Sequence, residues 1–230
     1  MERHFDAQLK ELKTDLLRMA ALTEEAIYKA VEALTSLDAG LAHSVINHDG
    51  EIDELELKIE EDAIRMLALR QPLAADLRFI TTGMKINSEL ERIADLAENI
   101  AECGLNVLSQ PMLKPLIDIP KLSTIARRMV RDSIEAFVNS DENLARTVIL
   151  ADPEADRLRD AIYDELVNGF ISKDGSCAPR AVPLLLIARH LERICDHATY
   201  IAEDIIYMVQ AKVVKHHPEM LNEQGEGPAA

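Results

Sequence analysis

Aromatic side chains are nearly missing from this chain. Trp is absent and the aromatic share is 3%, although hydrophobic residues make up 48% of the 230 positions. Strands favour aromatic and β-branched residues, so a sequence this poor in aromatics and glycine, and rich in Ala, Leu, Glu, Ile and Arg, reads as helical. Cysteine is scarce too: Cys103, Cys177 and Cys195 are too few and too scattered for a disulfide framework or a CxxC site, which fits a reducing compartment. Long apolar runs are lacking. "VPLLLIA" at 182–188 is far too short to cross a bilayer, and the opening "MERHFDAQLK" has no apolar signal core. The expectation is a soluble cytoplasmic protein that meets a membrane only through partners.

Positive charge is also in deficit, with 25 Lys and Arg against 41 Asp and Glu and a formal net charge of −16. DNA, RNA and anionic bilayers need a basic stripe that such a chain does not supply. Free phosphate or a nucleotide is repelled unless a cation intervenes. There is neither a glycine-rich phosphate loop nor a basic anion pocket in the linear sequence.

What is present is a repeat. At a shift of 103 positions, Val31, Glu32 and Ala33 fall on Ile134, Glu135 and Ala136. Asp38, Leu41, Ala42, Val45 and Ile46 then meet Asp141, Leu144, Ala145, Val148 and Ile149, and Asp49, Glu51, Asp53, Leu55 and Ile59 meet Asp152, Glu154, Asp156, Leu158 and Ile162. Farther on the shift becomes 101, where "ERIADLAENIAE" from Glu91 is echoed by "ERICDHATYIAE" from Glu192. Two copies of this length are a duplication and not a solenoid. Apolar positions recur at helical spacing over Phe5–Leu37, Leu41–Leu69 and Leu73–Leu108 in the first copy.

"SLDAG" and "NSDEN" separate first from second helices, Pro72 stands near the start of the third, Asp152 and Pro153 form a cap phrase that breaks or kinks its segment, and the last helix begins near Pro179 after "SKDGSCAP". The predicted fold is all-α: six long helices in two tandem three-helix bundles. The first bundle covers 1–108 and the second 121–212. A Pro-containing, semi-rigid linker at 109–120 joins them, and 213–230 forms a disordered tail.

Glu91, Asp95, Glu98 and Glu102 are separated by four, three and four residues and so stack on one helical stripe beside the core face. Glu192, Asp196 and Glu203 repeat it, with Thr199 in place of Glu98 and Tyr200 in place of Asn99. The bland reading is a solvated face, partly neutralised by Arg92 and Arg193. Each like-charge pair at this spacing costs about 0.2–0.5 kcal/mol, however, and several pairs in both copies ask for a cation. Carboxylate donors without thiolate suit Mg, Ca, Mn or Fe, with Zn also open. His190 and His197, near the second phrase, read as surface residues before ligands. Cys177 reads as a loop thiol and Cys195 as a small packed residue.

"ERIAD" at 91–95 and "ERICD" at 192–196, with the preceding "PLAADLRFITTGMKINSEL", resemble the PhoU family, whose members carry two E(D)xxxD motifs. The resemblance runs to about residue 212. It implies two symmetric three-helix bundles, a homodimer, and metal ions (Fe, Mn, Mg or Zn) at Glu91, Asp95, Glu192 and Asp196. It also implies a non-enzymatic regulator of phosphate homeostasis that acts on the ATPase of the phosphate ABC transporter and restrains a phosphate-sensing histidine kinase. The rival readings are a carboxylate-bridged metal enzyme of the helical-bundle type and a metal-storing scaffold. The usual ExxH signature of the former occurs nowhere in the chain.

Overall fold

The computed structural model describes residues 2–211, except for the side chains of residues 2–4 and 49; the expected tail at 213–230 lies outside them. The chain folds into α1 (Glu2–Ser36), α2 (Ala39–Arg70), α3 (Ala74–Leu108), α4 (Asp118–Asn139), α5 (Glu142–Asp164) and α6 (Ala178–Gln210). A π-helical segment, Glu165–Ile171, extends α5, and a 3-10 turn, Gly175–Cys177, leads into α6. No strand occurs among the described residues. The six-helix, two-bundle reading therefore holds: α1, α2 and α3 pack on one another, as do α4, α5 and α6.

The α1/α2 and α4/α5 corners are made the same way. In the first, the Asp38 N–H reaches back to the Ala33 carbonyl at 2.9 Å, and the Asp38 carboxylate accepts from the Leu41 N–H at 3.1 Å. In the second, the Asp141 N–H donates to Ala136 at 2.8 Å and its carboxylate accepts from Asn143 and Leu144. The residue between helix and cap is left-handed in each, Leu37 at φ 59° and Ser140 at φ 53°. This is the six-to-one closure that satisfies the last carbonyls of one helix while the aspartate starts the next.

Three boundary expectations shift. Pro72 precedes α3, whose N-cap is Leu73, and does not open it. Pro153 lies inside α5, which runs through it unbroken; Asp152 therefore caps nothing and is a mid-helix carboxylate. Pro120 belongs to the first turn of α4, because that helix begins at Asp118, where a missing N–H is tolerated. Pro179 stands in the first turn of α6 as its sequence suggests. Within the linker, Met112, Leu113 and Leu116 pack against the core, and Lys114 is paired with Glu165 of the π-helical segment.

The two bundles share one core. Leu90, Ile93, Ala94, Ala97, Ile100 and Ala101 of α3 are buried, as are their counterparts Leu191, Ile194, Cys195, Ala198, Ile201 and Ala202 of α6. Helices α3 and α6 form the most extensive pairing in the molecule, and α1 lies against α4 beside it. Phe137 of α4 is fully buried and stacks on Phe79 of α3, with centroids 4.7 Å apart. Gly83 lies at this junction, where a Cβ would meet Leu16, Leu12 and Phe137 at 3.4–3.6 Å, ordinary van der Waals contact. With α3 and α6 buried at the centre, their remaining polar faces look outward onto α2 and α5, where the acidic stripe meets solvent.

Candidate functional site: two acidic grooves

On α3, Glu91 and Glu98 are half-buried while Asp95 and Glu102 are exposed; on α6, Glu192, Asp196 and Glu203 are all half-buried. The stripe thus stands at a groove edge. Its neighbours across the groove come from the second helix of each bundle, which motif spacing on the third helix did not identify.

In the first bundle Asp53 and Glu56 of α2 face Glu91 and Asp95. Burial pushes the Glu91 carboxyl above the ordinary carboxylate range, and the charges of Asp95, Glu56 and Asp53 push it further. Asp95, exposed as a residue but partly desolvated at the groove edge, is raised by that desolvation and by Asp53. Glu56 is raised by burial, Glu60 and Asp53. The Asn87 side-chain N–H donates to the Glu56 carbonyl at 2.9 Å, tying α3 to α2 beside this cluster. Glu102 stands apart, next to Cys103, whose thiol is pushed up by burial and by that carboxylate.

The second bundle repeats the arrangement with Asp152 and Asp156 of α5. Burial raises Asp152 first, then the charges of Asp156, Glu192 and Glu203, with the Thr199 hydroxyl offsetting part of the effect. Asp196 is raised by burial, Asp152 and Asp156. Glu192 is raised by burial and Asp196 but relieved by Arg159, whose guanidinium lies 3.4 Å away. The second helix of the first bundle offers no such guanidinium, because Glu56 occupies the position that repeats as Arg159, and Glu91 has only the weaker relief of Arg92 on its own helix. The two grooves therefore differ in charge as well as at Glu98/Thr199 and Asn99/Tyr200. Arg92 pairs with Glu89 at 3.3 Å and also lowers Glu91 somewhat, as Arg193 does Asp196, so both arginines partly neutralise the stripe as expected.

Both histidines depart from the surface reading. His197 is 7% exposed, and its Nδ1 lies 2.5 Å from Glu89 Oε2, bridging α6 to α3. Lys85 and Asp204, at 2.7 Å, make a second bridge. His190 is half-buried and its pKa is lowered by burial, Arg189 and Arg193. Cys195 is a packed core residue whose thiol burial and the surrounding carboxylates hold far above the ordinary thiol range. It is unavailable as a thiolate at neutral pH.

Oxygen donors crowded until their pKa values rise suit a hard cation, which would replace mutual repulsion with attraction. Among the described residues, however, no three His, Cys, Asp or Glu side chains stand as a ready ligand group. The donor chemistry fits a cation; the side chains do not form a closed cage.

Known proteins match this architecture throughout. The PhoU domain matches residues 16–104 and again residues 119–205. The chain is 43% identical over 219 residues to a phosphate-specific transport system accessory protein PhoU homolog of Aquifex aeolicus, covering 95% of this chain and 98% of that one. The crystal structure of PhoU from Pseudomonas aeruginosa superposes with a TM-score of 0.87 at 34% identity, covering 90% of this chain and 100% of that chain. That of the phosphate transport system regulatory protein PhoU from Streptococcus pneumoniae gives 0.84 at 29% identity, covering 91% and 99%. With a duplicated helical unit, an acidic groove in each copy and a match over both, this chain belongs to the PhoU family.

Proposed function

We propose that the protein is a non-enzymatic regulatory adaptor of phosphate homeostasis. In this reading it works in the cytoplasm as a homodimer, modulates uptake through the ATPase subunit of the phosphate ABC transporter, and restrains the histidine kinase that switches on the phosphate-starvation response. The observation that carries the reading is the near full-length match of both bundles to accessory proteins of the phosphate-specific transport system. No helix among the described residues is long and apolar enough to cross a membrane, so contact with the transporter falls to surface recognition. Capture of the tagged chain from cells grown in high phosphate is expected to enrich that ATPase and that kinase. Enrichment of neither defeats the adaptor reading.

The acidic grooves are read as metal sites. Glu91 and Asp95 with Asp53 and Glu56 would hold a cation in the first bundle, and Glu192 and Asp196 with Asp152 and Asp156 in the second. Glu98, Glu102 and Glu203 extend each stripe. Fe, Mn, Mg and Zn are the candidates by donor type. A bound cation supplies positive charge that links two helices of one bundle and offsets repulsion; the carboxylates orient it. A groove open to solvent favours this role over redox work in a sealed bundle interior. Metal content measured on untagged wild type and on the Glu91→Ala, Asp95→Ala, Glu192→Ala, Asp196→Ala variant tests it. Equal, negligible metal in both would sink the assignment.

A further inference from the structure

An open cavity of about 640 Å³ lies between α5 and α6, continuous with the second acidic groove. Its lining changes character along α6, from Leu185 and Leu186, with Tyr163 of the π-extended α5 also in the wall, through Arg189 to Glu192, Arg193 and Asp196, where Arg159 of α5 reaches Glu192. From residue 185 to residue 196 a helix rises roughly 16 Å. The volume falls in the usual range of small-molecule sites.

Three guanidiniums together are unexpected in a chain of net charge −16. Arg159 reaches Asp160 at 3.0 Å, Glu192 at 3.4 Å and Asp156 at 3.5 Å, yet its Nε is buried without a hydrogen-bond partner. Arg189 and Arg193, one helical turn apart, are exposed; their charges relieve Glu192 and Asp196 respectively, but neither closes an ion pair within 4 Å among the described residues. Guanidinium forks match phosphate oxygens in geometry and charge. In the same lining Tyr163 is 56% exposed and Leu186 40% exposed, and an accessible aromatic ring is the kind of group on which a base stacks.

Bundle architecture alone does not require this lining. The repeat equivalents of Arg159 and Tyr163 are Glu56 and Glu60, and that of Arg189 is Ser88; only Arg193 is answered by an arginine, Arg92. The first copy is anionic where the second is cationic.

We propose that this cavity binds a nucleoside di- or triphosphate with a divalent cation: phosphates on Arg159, Arg189 and Arg193, the base against Tyr163 and Leu186, and the cation toward Glu192 and Asp196. The cation's place rests on the metal reading above; the place of the phosphates does not. Net repulsion of a polyphosphate by the chain is overcome locally by the guanidiniums and by the metal that accompanies it.

The test uses the full chain and a fluorescent, non-hydrolysable ATP analogue, titrated with manganese present and again in EDTA, with inorganic phosphate as a separate arm and manganese uptake measured alone. Saturable binding that weakens about tenfold or more in Arg189→Ala/Arg193→Ala, the loss of two charge-assisted contacts, supports the proposal if manganese uptake and helical content are unchanged. Arg92→Ala is expected to bind as wild type does. Equal affinity of the double variant and wild type, or no binding at millimolar analogue, overturns the proposal. Inorganic phosphate competing as tightly as the nucleotide overturns the assignment of the base to Tyr163 and Leu186. If neither bundle takes up manganese, the metal reading fails by itself, while arginine-dependent binding in EDTA still upholds the phosphate site.

Discussion

At the scale of single residues, the grooves are places where folding brings like charges together. Glu91, Asp95, Glu192, Asp196 and Asp152 all have carboxyls raised above their ordinary range, with burial as the largest cause and neighbouring carboxylates next. Between its unfolded and its raised folded pKa, such a group binds more protons folded than unfolded, so stability falls as pH rises through that window. The metal-free protein in EDTA is therefore expected to lose melting temperature as pH rises from the ordinary carboxylate range through the raised pKa values of the grooves. In a Glu91→Gln/Glu192→Gln variant that loss should shrink; a slope equal to wild type would show that the grooves do not cause it. Asp152→Asn should raise metal-free stability by a few tenths of a kcal/mol, as removal of a like-charge neighbour does. It should also reduce the stabilisation that added manganese gives, which paired thermal melts measure. The stripe on the third helices was legible because helical spacing alone stacks it. Asp53, Glu56 and Asp156 were not, because nothing in the local sequence says which face of the second helix meets which face of the third; the repeat that paired Asp53 with Asp156 was the one signal available.

At the scale of elements, caps and corners carry the register of the duplication. Asp38 and Asp141 were readable as boundary residues because a short carboxylate at a helix start accepts from free N–H groups. The left-handed residue before each was not, since Leu37 and Ser140 give no glycine signal. Left-handed backbone costs a side-chain-bearing residue about 1–2 kcal/mol and the added unfolded-state entropy of glycine offsets about 0.5–1 kcal/mol of that, so Ser140→Gly is expected to stabilise by about 0.5–1 kcal/mol. Chemical denaturation reads this directly, and a loss of stability would mean that the Ser140 side chain does more than turn the chain. Pro153 and the π-helical segment Glu165–Ile171 were illegible for a related reason. Proline normally breaks a helix interior, and only packing of α5 on α6 holds the chain helical through it and on into the wider turn.

At the scale of the whole molecule, two bundles share one core along the seam of α3 and α6 and are therefore expected to unfold as one unit. Phe137 of α4 stacks on Phe79 of α3 across the bundle boundary, so its loss should be felt by both. Phe137→Ala is expected to cost about 3–5 kcal/mol, the usual loss for an aromatic removed from a packed core. Calorimetry should still show a single transition, shifted down; two separated transitions in wild type would show that the bundles unfold independently. The Glu89–His197 and Lys85–Asp204 bridges fix the same seam with polar contacts, and composition gave no hint of them. The sequence by itself determined the helices, their number, their duplication and the acidic stripe, since all of these follow from periodicity and from the paucity of aromatics and glycine. Only the tertiary structure decided what faces the stripe, that the second groove continues past Arg159 into a cationic cavity, and that two repeats share one core. Those are pairings of faces far apart in the chain, and helical spacing orders residues within a helix but not between helices.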